Sequence, residues 1–333
     1  MARIPMTLAC WDYDRTRALQ DESVRPEGIE LTYLPLMMPE SAFRMLHFGD
    51  FEVSEMSLSW YTRLADLEDR PFTAIPVFPS RMFRHSCIYV NADSGIEKPA
   101  DLVGKRVGCP EYQMTAAVWI KGMLADHYGV PVNSVRYATG GLEQPGRREQ
   151  PMDLPDDIVV EPIGDDRTLS DMLESGEIDA LYTAHMPSSF ARRSPNVRRL
   201  FEDYVQVEKE YFKATGIFPI MHTVVIRQDV LQAHPWAAQS LTKAFEESKQ
   251  RALAELRETT ALKYSLPWMT AAAEEARELL GSEDSGDYWP YGIERNRETL
   301  RTFIRYSHEQ GLIPSQIEPE SLFAPSSMTS ARI

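Results

Sequence analysis

The 333-residue sequence contains little cysteine, and its three cysteines, Cys10, Cys87 and Cys109, lie far apart. No two of them have the CxxC spacing, so the sequence predicts neither a disulfide framework nor a cysteine-rich metal site. Isolated cysteines of this kind are typical of small buried side chains near the ends of strands. The chain must therefore be held together by its apolar core.

Long apolar runs are also missing. No window approaches the roughly 20 apolar residues that a membrane span needs. The first apolar stretch is short, is interrupted by Pro5, and is followed at once by Asp12, Asp14 and Arg15. This is not the pattern of an export signal, so we expect a cytoplasmic protein with no membrane partner.

Positive charge is scarce relative to negative charge: 35 Lys and Arg residues stand against 50 Asp and Glu residues, so the net charge is −15 at pH 7. This argues against nucleic acid and against anionic membrane surfaces as partners. The motifs GxGxxG, GxxxxGK[ST], HExxH and GxSxG are absent, so no nucleotide cradle, zincin site or serine-hydrolase elbow is indicated. A metal held by His85, His222 and a carboxylate is the one metal site left open, and it is not favoured.

Strand-like apolar runs alternate with helix-like stretches through most of the chain. Residues 3–10, 28–36 and 73–80 read as strands, and residues 41–49 read as a helix. This order predicts an α/β fold with mostly parallel sheets and helices on their faces. The C-terminal tail from about residue 317 contains Ser and Pro and is expected to fray.

The length suits two lobes rather than one core. We place lobe 1 at residues 1–97 and 216–333, with lobe 2 inserted at residues 98–215. Two strands, 84–91 and 217–227, would cross between the lobes. The prediction is a two-lobed α/β protein that closes a ligand cleft around a small anion.

Candidate site residues lie in the turns after strands, because ligands of open α/β sheets bind at the carboxyl ends of strands. Asp12 follows the first strand and either caps the next helix or contacts the ligand. Ser57 and Ser59 follow another strand near a helix start, where hydroxyls either cap the helix or bind a carboxylate. Arg84 lies in a basic turn and offers a planar fork for a carboxylate, unless that turn is merely solvated.

A second group of candidates lies in the inserted lobe. Tyr112, Gln113 and Thr115 lie at the start of a long apolar helix that is predicted to begin near Tyr112, and the free N–H groups and dipole of that helix favour an anion. Arg147 lies in a long polar loop between residues 140 and 157 and would clamp a second carboxylate, the alternative being a mobile surface loop.

His85 and His222 are the candidate acid/base residues. Each lies on one of the two proposed crossing strands, so the two imidazoles would approach each other at the floor of the cleft. Histidine titrates in the range that proton transfer at neutral pH requires. The alternative is that each is a hydrogen-bonded core residue.

Several segments together resemble the bacterial 4,5-dihydroxyphthalate decarboxylase family. They run through nearly the whole chain and include DYDRTRAL, FPSRMFRHSCIYVN, PEYQMTAAVWIKG, GGLEQPGRRE and GIFPIMHTVVIR. The resemblance implies the type 2 periplasmic-binding-protein fold and a carboxy-lyase that converts 4,5-dihydroxyphthalate to 3,4-dihydroxybenzoate and CO2. Its implied substrate is a small aromatic dicarboxylate.

The implied reaction needs an acid at the carbon that loses CO2, a base near the para hydroxyl, and cationic or N–H groups for the remaining carboxylate. The ring can act as its own electron sink, so we expect no cofactor. We assign His222 and His85 to proton transfer, Arg84 and Arg147 to the carboxylates, and the remaining candidates, Asp12, Ser57, Ser59, Tyr112, Gln113 and Thr115, to substrate binding.

Two other functions remain open at this point. The same fold serves binding proteins and sensors that carry out no chemistry. Other enzymes on this fold include thiamine-pyrimidine precursor synthases and menaquinone-pathway enzymes, although the cysteine-rich segments expected of the former are missing. Homodimers are the commonest oligomers, so a homodimer is the favoured assembly.

Overall fold

The computed structural model describes residues 3–65, 67, 69–282 and 285–328. The chain divides into two units. Unit 1 comprises Met1–Arg81, Ile220–Leu300 and Ile317–Ile333, and unit 2 comprises Met82–Pro219 and Arg301–Gln316. The boundaries near residues 81 and 219 replace those drawn at 97 and 216, and the C-terminal residues 301–316 join unit 2 rather than unit 1.

Strands and helices alternate along the chain, as predicted. The strands of the described residues are β1 (Ile4–Cys10), β2 (Ile29–Pro35), β3 (Val53–Ser57), β4 (Phe72–Arg81), β5 (Ile88–Asn91), β6 (Arg106–Cys109), β7 (Arg136–Thr139), β8 (Val160–Pro162), β9 (Ala180–Tyr182), β10 (Val197–Arg199) and β11 (Ile220–Arg227). The helices are α1 (Arg17–Gln20), α2 (Met38–Phe48), α3 (Leu58–Ala65), α4 (Thr115–Tyr128), α5 (Leu169–Ser175), α6 (Ser188–Ala191), α7 (Tyr204–Thr215), α8 (Gln228–Ala233), α9 (Ala237–Glu255), α10 (Met269–Leu280), α11 (Arg297–Glu309) and α12 (Pro325–Met328).

The sheet of unit 1 has the strand order β2-β1-β3-β11-β4. β1 pairs in parallel with β2 and β3, whereas β11 runs antiparallel to both of its neighbours, β3 and β4. The sheet is therefore mixed rather than mostly parallel, because β11 enters it from the opposite direction. β11 places His222 opposite Ser57, the last residue of β3.

The sheet of unit 2 has the order β10-β5-β9-β6-β7-β8. Its β6, β7, β8 and β9 pair in parallel, and β5 and β10 pair antiparallel at one side. The predicted crossing strand at residues 84–91 is shorter than expected and begins at Ile88. His85 lies before it, in the one-turn 3₁₀ helix His85–Cys87.

Helix α4 is buried along most of its length in unit 2. Its sequence is apolar on nearly every face, and Lys121 is buried with the rest. α4 ends at Gly129, which takes a left-handed φ of 67° that favours glycine. Trp119 of α4 packs against Phe303 and Tyr306 of α11, with ring centroids 5.3 and 5.7 Å apart. Residues from near the C-terminus thus complete the core of unit 2.

The part of the C-terminal tail that the structure describes, residues 317–328, packs onto the chain, whereas the sequence suggested a frayed tail. Leu322 and Phe323 are buried, and the Leu322 carbonyl accepts a hydrogen bond from the Tyr61 hydroxyl. Phe323 also forms a bridge with Ala74 of β4. Apolar burial outweighs the flexibility that Ser and Pro would otherwise give this segment. Within the described residues, no helix is long and apolar enough to cross a bilayer.

Candidate active site

A carboxylate and an imidazole meet at one edge of the sheet of unit 1. Glu55 lies in the middle of β3, and His222 lies near the start of β11. His222 pairs with Ser57, two residues beyond Glu55, so the two side chains are diagonal neighbours on the same face of the sheet. Glu55 Oε1 lies 2.6 Å from His222 Nδ1. This edge is the carboxyl end of β1 and β3, where α/β sheets bind ligands.

The backbone at His222 is irregular. The pairing of β11 with β4 shifts register on both sides of His222, between Ile220 and His222 and again between His222 and Val224. Bulges of this kind re-aim a side chain and are common beside active sites. The His222 side chain is 15% exposed, while that of Glu55 is wholly buried. Nε2 of His222 has no hydrogen-bond partner among the described residues.

Glu55 is held by three further groups, one from the last residue of β1 and two from the segment that follows it. The Tyr13 hydroxyl donates to Oε1 at 2.6 Å, and the Trp11 N–H donates to Oε2 at 2.9 Å. The Cys10 thiol lies 3.5 Å from Oε2. Every carboxylate lone pair thus faces a donor, which is what a buried charge requires.

The charge state of this pair follows from its surroundings. Burial opposes ionisation of Glu55, but the charge of His222 and the hydrogen bonds from His222, Tyr13 and Trp11 outweigh it and lower the pKa of Glu55. Burial and the negative charge of Glu55 raise the pKa of Tyr13, which therefore keeps its proton and remains a donor. An ionised carboxylate that accepts from Nδ1 stabilises an imidazolium and leaves Nε2 to exchange protons.

Arg15 stacks on the ring of Tyr13, the residue whose hydroxyl bonds to Glu55. Its guanidinium carbon is 4.1 Å from the centroid of the Tyr13 ring and 4.3 Å from that of Trp289. Nε donates to the Pro79 carbonyl, and Nη1 lies 2.9 Å from Asp14 Oδ1. Nη2 has no hydrogen-bond partner among the described residues. A guanidinium fixed between two rings with donor capacity to spare is suited to a carboxylate.

The residues predicted in unit 1 are spread around this pair. Ser57 is buried opposite His222, and its hydroxyl lies 3.5 Å from the Trp60 N–H at the start of α3. Ser59 is buried in the first turn of α3. Asp12 is exposed and caps no helix, because Tyr13 occupies the N-cap position of the following turn.

In unit 2, the segment before α4 holds a carboxylate of the chain itself. Glu149 Oε2 accepts from the Tyr112 N–H at 2.8 Å, and Oε1 accepts from the Gln113 N–H at 3.0 Å. Tyr112, Gln113 and Thr115 are all buried. The helix was predicted to begin near Tyr112 and begins at Thr115, so the two N–H groups belong to the turn that leads into it.

The two predicted arginine clamps have partners inside unit 2. Arg147 is half exposed and forms an ion pair with Glu111 at 2.5 Å. Arg84 is buried, with Nη1 3.5 Å from both Met82 Sδ and Cys87 Sγ. Its charge also acts on the half-buried carboxylate of Glu208. Both arginines are therefore engaged with groups of the chain.

His85 is fully buried in an aromatic pocket of unit 2. The rings of Phe201 and Tyr211 lie 5.2 Å from its ring, and that of Tyr128 lies 5.9 Å away. Burial, with a smaller contribution from His127, lowers the pKa of His85 to about 4. Neither ring nitrogen has a hydrogen-bond partner in the described part of the chain. His85 thus has no proton partner there, and its predicted role gains no support from these surroundings.

Sequence reasoning overlooked Glu55 and Arg15. A carboxylate in the middle of an apolar strand is a signal that could have identified Glu55, because such a group is seldom buried without a partner. Arg15 carries a weaker signal, its position between Tyr13 and a predicted helix. Within the described residues, no group of three or more His, Cys, Asp and Glu side chains is arranged to hold a metal ion.

The fold is shared with periplasmic binding proteins. The aliphatic sulphonate binding protein SsuA of Escherichia coli matches 97% of this chain and 92% of its own, with a TM-score of 0.52 and 13% identity. A ligand-binding component of an ABC-type import system from Staphylococcus aureus matches 99% of each chain, with a TM-score of 0.54 and 9% identity. At these identities the likeness shows the fold alone, that of the type 2 periplasmic binding proteins.

Two curated relatives define the family more narrowly. A 4,5-dihydroxyphthalate decarboxylase of Comamonas testosteroni is 39% identical over 334 residues, which cover all of both chains. Another of Pseudomonas putida is 38% identical over 215 residues, or 64% of this chain and 83% of that protein. No family model matches the chain. The chain belongs to the 4,5-dihydroxyphthalate decarboxylase family.

Proposed function

We propose that this protein removes CO2 from 4,5-dihydroxyphthalate to give 3,4-dihydroxybenzoate, with His222 as the acid. The family supports the reaction. The observation that carries the assignment of the acid is the 2.6 Å contact between buried Glu55 and Nδ1 of a partly exposed His222. That contact fixes one ring nitrogen and leaves Nε2 for the substrate.

The chemistry requires one proton for each CO2 released. Nε2–H of His222 delivers its proton to the ring carbon that bears the departing carboxylate, and a C–H bond forms as aromaticity is lost. The oxygen para to that carbon donates electron density and stabilises the cationic ring. The C–C bond then breaks, its electrons restore the aromatic ring, and CO2 leaves. Solvent returns a proton to His222. The base expected near the para hydroxyl is not required, because that oxygen can donate electron density while it keeps its proton.

Glu55 and Tyr13 act through His222. The ionised Glu55 carboxylate stabilises the imidazolium, and the Tyr13 hydroxyl holds that carboxylate in place. Because the pair lies in a buried strand edge, its electrostatic effect is stronger than it would be in water. Tyr13 and Glu55 are therefore positioning residues, and His222 is the group that touches the substrate.

Arg15 is the proposed partner of the carboxylate that the substrate retains. It takes the role that the sequence assigned to Arg84 and Arg147, because its Nη2 has no partner among the described residues and it stacks on the ring of Tyr13. Ser57, opposite His222, and Ser59, in the first turn of α3, remain candidates for binding the ring hydroxyls.

We further propose that the reaction needs no cofactor, because the protonated ring accepts the electrons of the breaking bond. A cytoplasmic location and a homodimer stay predictions of the sequence. Cell fractionation and size-exclusion chromatography with light scattering would test these two predictions.

The test is to incubate the purified protein with 4,5-dihydroxyphthalate and to measure CO2 and 3,4-dihydroxybenzoate, with and without a chelator. We expect stoichiometric release of both products in each arm. His222→Ala should lower kcat by ~100-fold or more, whereas His234→Gln, a histidine outside the site, should not. Binding without turnover would leave a binding protein or sensor instead, and loss of turnover on chelation would overturn the cofactor-free mechanism.

A further inference from the structure

One carboxylate of the chain occupies a pair of backbone donors that could serve a ligand. Glu149 comes from the long polar segment between β7 and β8, and it bridges the adjacent N–H groups of Tyr112 and Gln113 at 2.8 and 3.0 Å. One carboxylate oxygen contacts each N–H, which is how a free carboxylate binds to the turn before a helix. We call these two N–H groups, with the side chains of Gln113 and Lys121, the α4 cradle.

The α4 cradle has more polar capacity than Glu149 uses. The side chain of Gln113 is wholly buried, and neither its Oε1 nor its Nε2 has a hydrogen-bond partner among the described residues. A buried amide that lacks both partners is costly, so its presence calls for an explanation, and a bound ligand would give one. This amide is a second polar group beside the backbone N–H pair, and a polar ligand would supply its missing partners.

A buried lysine lies behind the same turn. Lys121 is 2% exposed, and its Nζ donates to the Tyr112 carbonyl at 2.7 Å while lying 2.9 Å from the centroid of the Tyr112 ring. No carboxylate lies within ion-pair distance of Nζ among the described residues, although its charge does act on Glu149. Burial lowers the pKa of Lys121 to about 7, so the cradle combines two N–H donors, one amide and an amine that carries its charge only in part at neutral pH.

Glu149 is poorly suited to be a permanent occupant. Burial raises the pKa of its carboxyl group in spite of the two backbone hydrogen bonds, so the charged form is held against a desolvation cost. The neighbouring residues 143–148 and Gln150 are exposed, so the segment that carries Glu149 is largely solvated. Because this segment buries little apolar surface, the release of Glu149 from the cradle would cost little apolar contact.

We propose that the α4 cradle is a binding site for an aryl carboxylate, and that Glu149 is an internal competitor which such a ligand displaces. A carboxylate attached to an aromatic ring would take over the two N–H bonds and, like Glu149 now, would favour the charged form of Lys121. The identity of the ligand as a carboxylate of the substrate rests on the proposed function, whereas the competition by Glu149 does not.

The experiment measures binding of phthalate, a dicarboxylate without the ring hydroxyls, to the full chain by calorimetry in a carboxylate-free buffer. Glu149→Gln and Glu149→Ala should bind phthalate about tenfold more tightly than the unmodified protein, since an internal competitor has been removed. Glu143→Gln is the matched control, because Glu143 lies in the same segment and bonds to the Ser188 N–H instead. It should leave the affinity unchanged.

A second measurement needs no variant. Phthalate added to isotopically labelled unmodified protein should shift the amide resonances of Tyr112 and Gln113 as Glu149 leaves. Unchanged or weaker phthalate binding in both Glu149 variants, or unmoved amide resonances, would overturn the proposal and leave Glu149 as a structural cap. Neither readout involves turnover, so a failure of the His222 mechanism would leave both results interpretable.

Discussion

Replacing Glu55 by Gln removes one charge from the buried pair and keeps nearly the same shape. At an effective dielectric constant of about 20, opposite charges about 4 Å apart attract by about 4 kcal/mol. A neutral hydrogen bond from His222 Nδ1 to the new amide oxygen would return about 1 kcal/mol. The imidazolium that donates the proton is then less stable by about 3 kcal/mol, so a smaller share of the enzyme carries the acid form and kcat should fall by up to about 100-fold.

The same substitution has a structural cost that must be measured separately. If the amide oxygen faces His222 and Tyr13, the amide NH2 group faces the Trp11 N–H, where Glu55 Oε2 now accepts at 2.9 Å. Two donors in contact should lower the free energy of unfolding by about 1–3 kcal/mol. Chemical denaturation of the variant would show this loss and confirm that the remaining protein is folded under assay conditions.

Glu52→Gln is the matched control for this prediction. Glu52 also accepts from a backbone N–H of β1, that of Thr7 at 2.8 Å, and it also lies beside a cation, Arg227. It contacts no histidine, so its substitution should affect stability and leave kcat within about threefold of the original value. A Glu55→Gln enzyme that is folded and turns over at the same rate as Glu52→Gln would refute the role of the carboxylate.

Three further predictions follow from the described contacts. Arg15→Met should raise KM by about tenfold with a smaller change in kcat, since a charged hydrogen bond is lost; an unchanged KM would contradict its role. His85 has a folded-state pKa of about 4 against an ordinary 6.5, so the unfolded chain takes up the proton first as the pH falls. The free energy of unfolding of His85→Phe, relative to that of the unmodified protein, should therefore be about 2 kcal/mol higher at pH 5 than at pH 7, as measured by denaturation. The same difference at both pH values would contradict the lowered pKa of His85. A methyl group at Gly122 would overlap the Tyr306 ring, so Gly122→Ala should lose about 2–3 kcal/mol of stability, against about 1 for Gly129→Ala, where space is open but φ is positive; similar melting temperatures would show otherwise.

Local patterns predicted the elements well because they depend on neighbours in sequence. β1 was expected at residues 3–10 and lies at Ile4–Cys10, and α2 was expected at 41–49 and lies at Met38–Phe48. The family and its fold were also predicted, because the quoted segments extend along nearly the whole chain. Element positions and family resemblance can both be read from stretches of sequence without knowing which distant residues meet in the fold.

The pairing of side chains could not be predicted in this way. Glu55 and His222 are 167 residues apart, and they meet only because β11 enters the sheet beside β3 in one register. Glu149 and Tyr112 are 37 residues apart and meet through a segment with no regular structure. Arg84 and Arg147 were predicted to bind carboxylates of the substrate because they are basic residues in turns and loops. The structure shows that both contact other groups of unit 2.

The completion of unit 2 by residues 301–316 has a consequence for synthesis on the ribosome. Trp119 lacks its Phe303 and Tyr306 neighbours, and the Tyr112 hydroxyl lacks the Gln310 carbonyl to which it donates, until residues 301–316 have been translated. Domains usually fold as they emerge, the N-terminal ones first. Here the face of α4 that packs against α11 would stay uncovered until residues 301–316 emerge, so unit 2 cannot complete its core when its own strands have been made.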